Sequence, residues 1–187
     1  MGALLQATRT VPIVFPAVAD PVAAGFVDSL ARPGGNVTGF MNFEYSMGGK
    51  WLELLTQTAP SVTRAAVLRD AAQGFGTSQF AAIQAVAPSL RVEVSPVNMR
   101  DAGEIEGAVT AFARSPNGGL IVPAGGSAQL HRNLIITLAA RHKLPAVYYE
   151  RFFVAAGGLV SYGANYIDQY RRAAGYGRPH PQGRKAG

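Results

Sequence analysis

The sequence predicts an α/β fold in which parallel sheets carry helices on both faces. Two observations predict it. Short β-rich runs alternate with helical patterns along nearly the whole chain, and such alternation is the mark of a parallel sheet covered by helices. Composition agrees: of 187 residues, 48% are apolar and 15% charged. That is enough apolar material for a sizeable core and too much for a disordered chain.

The elements follow in order. "TVPIVFP" (10–16) is a buried-strand run. Residues 19–36 read as a helix: Asp20 stands before Pro21 as a start signal, Val22, Phe26, Val27 and Leu30 share one face, and Pro33, Gly34 and Gly35 stop it. Residues 36–40 are a short strand. Residues 46–60 are a helix with Ser46 as its cap and Trp51, Leu52 and Leu55 as its apolar stripe. Residues 64–70 form a strand and 76–90 a helix. "RVEVSPVNM" (91–99) alternates as a strand does. Residues 101–117 are a helix in which Asp101 and Glu104 have capping-box spacing. Residues 118–125 are a strand, and 127–143 one long helix with Arg141, His142 and Lys143 at its negative end. Residues 144–150 and 158–164 are strands, and 165–176 start a last helix.

Several function classes fall away on composition. The chain has no Cys, which excludes disulfides, thiol catalysis and cysteine metal sites. No run reaches the ~18 apolar residues of a membrane-spanning helix, so direct membrane insertion is not expected. The opening "MGALLQATRT" lacks the leader, apolar stretch and cleavage site of a signal peptide, so the chain as written is expected in the cytoplasm. The net charge of +6 hints at nucleic acid, but its distribution argues otherwise. Residues 1–176 carry 14 basic and 11 acidic side chains, and Arg178, Arg184 and Lys185 supply half of the excess. A nearly balanced body lacks the basic face that nucleic acid requires.

In open α/β sheets, ligands bind beyond the carboxyl ends of the strands. That rule selects the segments 17–20, 41–45, 70–77, 123–127, 148–151 and 161–165. They hold Asp20, Asn42, Phe43, Tyr45, Asp70, Gln73, Phe75, Thr77, Ser127, Tyr148, Tyr149, Glu150, Arg151, Tyr162 and Asn165. Aromatic platforms with scattered hydrogen-bonding groups suit a small polar molecule with an apolar part; the bland alternative is polar loops whose aromatics pack on neighbours. Catalytic readings are poorer. Ser127 and His131 share a helix face without an acid to complete a triad, and Ser127 reads as an N-cap. His131 reads as packed or solvated, His142 as a charge at a helix end. No spacing points to a metal.

Three glycine-rich stretches raise an anion reading. "GFGTS" (74–78) has Gly-x-Gly between strand and helix but lacks the rest of a dinucleotide fingerprint. "RPGGN" (32–36) ends a helix and has the wrong polarity. "PAGGS" (123–127) precedes a helix and is the better anion candidate. All three also read as turns. They keep one alternative open, an α/β enzyme binding a nucleotide or sugar phosphate. A cytosolic sensor would need a fused DNA-binding or signalling domain.

The blocks ADPV (19–22), LARPGGNVTG (30–39), LAARHKLPA (138–146) and GGLVSYG (157–163) resemble the substrate-binding proteins of ABC transporters, of the tryptophan/tyrosine type, over residues 7–176. The resemblance implies a two-lobe, type I periplasmic-binding-protein-like fold: two Rossmann-like α/β lobes joined by hinge strands. Residues 1–45 would be part of an N-terminal lobe, 46–157 the C-terminal lobe, and 158–176 the return to the first. It also implies a small metabolite, an amino acid or related compound, held between the lobes. No catalytic group and no cofactor are then needed. A transporter permease with its ATPase is the implied partner, and the periplasm the implied location. Asp20, Asn42, Phe43, the 73–77 loop with Gln73, Phe75 and Thr77, the 123–127 loop with Ala124 and Ser127, and Tyr162 are implied near the ligand. Phe43, Phe75, Tyr148 and Tyr149 would stack on an aromatic or apolar group.

Relatives of this type have more chain at both ends. The N-terminal lobe is therefore expected to be incomplete and to expose sheet edge and apolar helix surface. The tail "GRPHPQGRKAG" (177–187) is expected to be disordered. Two readings of it stand. A one-base shift of a G+C-rich coding turns it into an amphipathic continuation of the last helix, making it an out-of-frame scar. The other reading is a genuine basic arm.

Overall fold

The computed structural model of the chain describes residues 2–22, 24–43, 47–70 and 74–176. They form eight helices and seven strands. By its internal contacts the chain divides into two compact units, Met1–Glu44 with Asn165–Gly187, and Tyr45–Ala164.

The second unit holds five strands: β3 (Arg64–Arg69), β4 (Glu93–Asn98), β5 (Gly118–Val122), β6 (Ala146–Tyr148) and β7 (Val160–Ser161). All pair in parallel, in the order β4-β3-β5-β6-β7. The intervening helices are α2 (Met47–Thr58), α3 (Gly74–Leu90), α4 (Ala102–Phe112), α5 (Gly126–Leu130), α6 (Arg132–Arg141) and α7 (Arg151–Ala155). From β3 the chain steps outward to β4, then back across to β5. Right-handed crossovers then put α3 and α4 on opposite faces. α2 packs on α3, and α6 on α4, so both faces are covered. Buried on two sides, β5 and β6 have no accessible residue, and their sequences are continuous apolar runs. The core draws Trp51, Leu52 and Leu55 from α2, Ile83 from α3, Ile105 from α4 and Leu138 from α6.

The first unit contains α1 (Gly2–Ala7), β1 (Ile13–Ala19), β2 (Val37–Phe43) and α8 (Tyr166–Tyr176). β1 and β2 pair in parallel, with a register irregularity where Pro16 brings no N–H to the ladder. Phe15, Val27 and Val37 make a small core with Leu5, Ile13 and Val18 against it. α8 lies on this pair of strands, where Gln169 Nε2 donates to the Met41 carbonyl at 2.7 Å. The Arg172 guanidinium stands 4.8 Å from the Phe40 ring centre.

Three expectations need correction. The first is the helix over 19–36. Its described part is a series of turns. Ala24 and Phe26 donate to the carbonyls of Asp20 and Pro21, making one helix-like turn. Gly25 then turns left-handed, at φ +68°, and ends it. Beyond it the Ser29 hydroxyl accepts from the Arg32 N–H and donates to its carbonyl, which favours a turn over a helix. Of the four proposed facing residues only Val27 is fully buried; Leu30 is exposed.

The second correction concerns 127–143, which is two helices. His131, at φ −98° and ψ +16°, ends α5 and opens α6. The third concerns Ser127, which is no N-cap. Gly125 occupies that place, and Ser127 lies inside the first turn of α5. β1 also starts three residues later than the apolar run implied, and β7 pairs with β6, so residues 158–164 belong to the second unit. Asp101 caps α4 as expected, its Oδ1 accepting from Glu104 N–H at 2.8 Å. The expected cap Ser46 and the tail 177–187 lie outside the described residues.

Candidate functional site

The carboxyl edge of the second unit's sheet carries a set of connected polar groups. Its switch point lies between β3 and β5, where the connections leave toward opposite faces. The Ser127 hydroxyl donates to Asp70 Oδ2 at 2.8 Å and so bridges this point, joining the segment after β3 to the helix after β5.

Beyond β6 the Tyr149 phenol donates to Gln129 Oε1 at 3.0 Å. Tyr149 and Glu150 are each only 7% exposed. Burial holds the Glu150 carboxyl above the usual carboxylate range, against the opposing pull of the Tyr149 hydroxyl and the Arg132 charge. Arg132, the first residue of α6, has a buried Nε with no hydrogen-bond partner.

Beyond β7 the backbone of Tyr162 is held on both sides. Its N–H donates to the Tyr148 carbonyl at 2.9 Å, and its carbonyl accepts the Trp51 indole N–H at 2.7 Å. Gly163 follows with no room for a side chain, since a Cβ there would run into the Tyr149 carbonyl. The Tyr162 side chain remains 47% exposed. A fixed backbone carrying an accessible aromatic ring is a ready stacking platform.

Of the sequence-selected residues, Thr77, Ala124, Ser127, Tyr149 and Tyr162 stand along this edge. Thr77 is exposed in the first turn of α3, and Ala124 is half-buried between β5 and α5. Phe75 lies in the same turn of α3; Gln73 and the Phe75 side chain lie outside what the structure describes. Asp20, Asn42 and Phe43 stand at the carboxyl end of the first unit's strands. Asp20 follows β1 at φ +40°, and Asn42 and Phe43 end β2, their side chains again outside the description. Sequence reasoning missed Gln129 and Arg132, because the single-helix reading spread 127–143 along one rod. It filed Trp51 only as core, since nothing in an apolar stripe says where an indole N–H points. Among the described residues no cluster of His, Asp and Glu could hold a metal ion, and no helix is long and apolar enough to cross a membrane.

The chain is 28% identical over 164 residues to a tyrosine-binding protein of Clostridioides difficile, covering 88% of this chain and 47% of that one. It matches the ligand-free, open structure of a substrate binding protein with adhesive properties from Clostridium difficile, with a TM-score of 0.74 and 26% identity over 95% of this chain and 61% of that one. It shares the fold of the ABC domain of a Streptococcus pneumonia protein in complex with L-Trp, with a TM-score of 0.72 and 23% identity over 92% of this chain and 59% of that one. The chain thus spans about half the length of the curated relative and about three fifths of these structures. Its fold is α/β and type I periplasmic-binding-protein-like, in part. Residues 2–180 match the family described as ABC transporter substrate binding protein, and the chain belongs to that family.

Proposed function

We propose that the chain is part of the solute-binding component of an ABC importer and takes an amino acid with an aromatic side chain. The observation that carries this reading is the carboxyl edge of the second unit, which holds the Asp70–Ser127 and Tyr149–Gln129 bonds and, beyond β7, the exposed, backbone-fixed Tyr162 beside Lys50 and Glu53 of α2. Polar groups of both kinds beside an aromatic platform match a molecule that is zwitterionic at one end and a ring at the other. The tyrosine-binding relative supports the same class. Asp20, Asn42, Phe43, Gln73, Phe75, Thr77, Ala124, Ser127, Tyr149 and Tyr162 are the proposed contacts.

The family's role is substrate binding for transport, so the chain needs no catalytic group. The proposed partner is the transporter permease with its ATPase, and the proposed location is outside the cytoplasmic membrane. A thermal-shift and calorimetry panel of L-tyrosine, L-tryptophan, L-leucine, nucleotides and sugar phosphates tests the reading. The expected result is a rise in melting temperature with the aromatic amino acids and no product from any compound. A shift confined to the phosphorylated compounds, or their turnover, would overturn it.

A further inference from the structure

Arg132 and Glu150 stand out from the rest of the carboxyl edge. They come from two different elements, the start of α6 and the cap position of α7, and Glu150 stands beside the Tyr149 hydroxyl that bonds Gln129. They carry opposite charges and feel each other's field. Yet they do not form an ion pair, as Arg141 does with Glu106 at 3.1 Å or Lys50 with Glu53 at 2.7 Å. The Nε of Arg132 is buried and has no hydrogen-bond partner. A buried guanidinium donor without a partner is costly, and the nearly buried Glu150 carboxylate has the Tyr149 hydroxyl to offset its burial only in part. Direct pairing would relieve both. The fold instead holds them apart.

We propose that Arg132 and Glu150 read the two charges of a zwitterionic ligand head, Arg132 taking the α-carboxylate and Glu150 the α-ammonium. A molecule carrying both charges on one carbon offers each group its complement and closes the gap between them. The guanidinium fork suits a carboxylate. This assignment rests on the amino-acid reading above and adds two residues to the site.

The test uses three ligands of one shape: L-tyrosine, tyramine, which lacks the carboxylate, and 3-(4-hydroxyphenyl)propionate, which lacks the ammonium. Affinities are measured by calorimetry for the wild-type chain and for Arg132→Gln, Arg132→Lys and Glu150→Gln. Arg132→Gln should weaken L-tyrosine and the propionate about tenfold or more, the worth of a charge-assisted hydrogen bond, and leave tyramine unchanged. Arg132→Lys should recover part of that loss. Glu150→Gln should weaken L-tyrosine and tyramine and spare the propionate. If the wild type binds none of the three, the amino-acid reading itself fails. If it binds L-tyrosine and the variants bind all three ligands as the wild type does, only this assignment fails. Equal losses for all three ligands, accompanied by a lower melting temperature, would reduce Arg132 and Glu150 to structural residues and overturn it as well.

Discussion

The indole Nε1 of Trp51 donates to the carbonyl of Tyr162 at 2.7 Å, across 111 residues of sequence. Trp51 is wholly buried in α2, and Tyr162 opens the segment after β7 with an exposed ring. One hydrogen bond thus ties the core to the rim of the site. Trp51→Phe keeps most of the apolar volume and removes the donor. It should cost about 1 kcal/mol in chemical denaturation, the low end for an acceptor that loses its donor, because this bond is only part-buried, and weaken aromatic ligands by loosening Tyr162.

Ser127→Ala leaves Asp70 without the hydroxyl that bridges the switch point. Hydrogen bonds to charged groups are worth about 1.5–3 kcal/mol. A loss of stability toward the lower end of that range is expected, because both residues are only part-buried, together with a weaker ligand-induced melting shift. An unchanged shift would mean that the bridge serves the fold alone.

Tyr148 is buried against Phe153, their ring centres 4.9 Å apart, and burial pushes its phenol up to about 12. The fold therefore favours the neutral phenol. Stability from this group is complete below the ordinary tyrosine value near 10 and is lost as pH rises toward 12. Tyr148→Phe cannot ionise. Its melting temperature should fall less than the wild type's between about pH 10 and 12.

Glu150 works in the same direction at acid pH. Its carboxyl is raised by burial, so the folded chain holds its proton more tightly than the unfolded one. Its contribution is greatest below the ordinary value of 4.5 and declines as pH rises through the folded value. Glu150→Gln should flatten the melting temperature over that window in ligand-free protein. A curve with unchanged slope would show that Arg132 and Tyr149 already offset the burial.

α8 has no buried residue, although its apolar positions recur at helical spacing. Ile167 is 44% exposed and Tyr170 58%. Exposed apolar faces of this kind drive association. The apparent molar mass from light scattering should therefore rise with concentration, and Ile167→Lys combined with Tyr170→Lys should reduce that rise without lowering the melting temperature.

Much of the second unit was legible in the sequence because its pattern is local. β3 and α2 lie within two residues of where apolar periodicity puts them; β5 and α4 start where expected, α4 behind its Asp101 cap, but end early, at Val122 and Phe112. The failures share a cause, which is that periodicity does not see backbone sign or side-chain partners. Gly25 at positive φ breaks an otherwise helical stripe. His131 splits a rod that composition alone continues. Ser127 looks like a cap until a carboxylate 57 residues away claims its hydroxyl. The strand-end rule found Tyr149 and Tyr162, but not Gln129 or Arg132. Those two reach the edge only because α5 is short and α6 begins afresh.

The division of the chain has a consequence for synthesis on the ribosome. The second unit, Tyr45–Ala164, is contiguous, whereas the first joins Met1–Glu44 to a segment that begins at Asn165. Translation runs from the N-terminus and domains fold as units. The five-stranded sheet can therefore close as soon as its last strand has emerged, while β1 and β2, made before it, must wait for α8 to cover them. Strands made before that sheet are thus sheltered after it, and in that interval they are open to a chaperone.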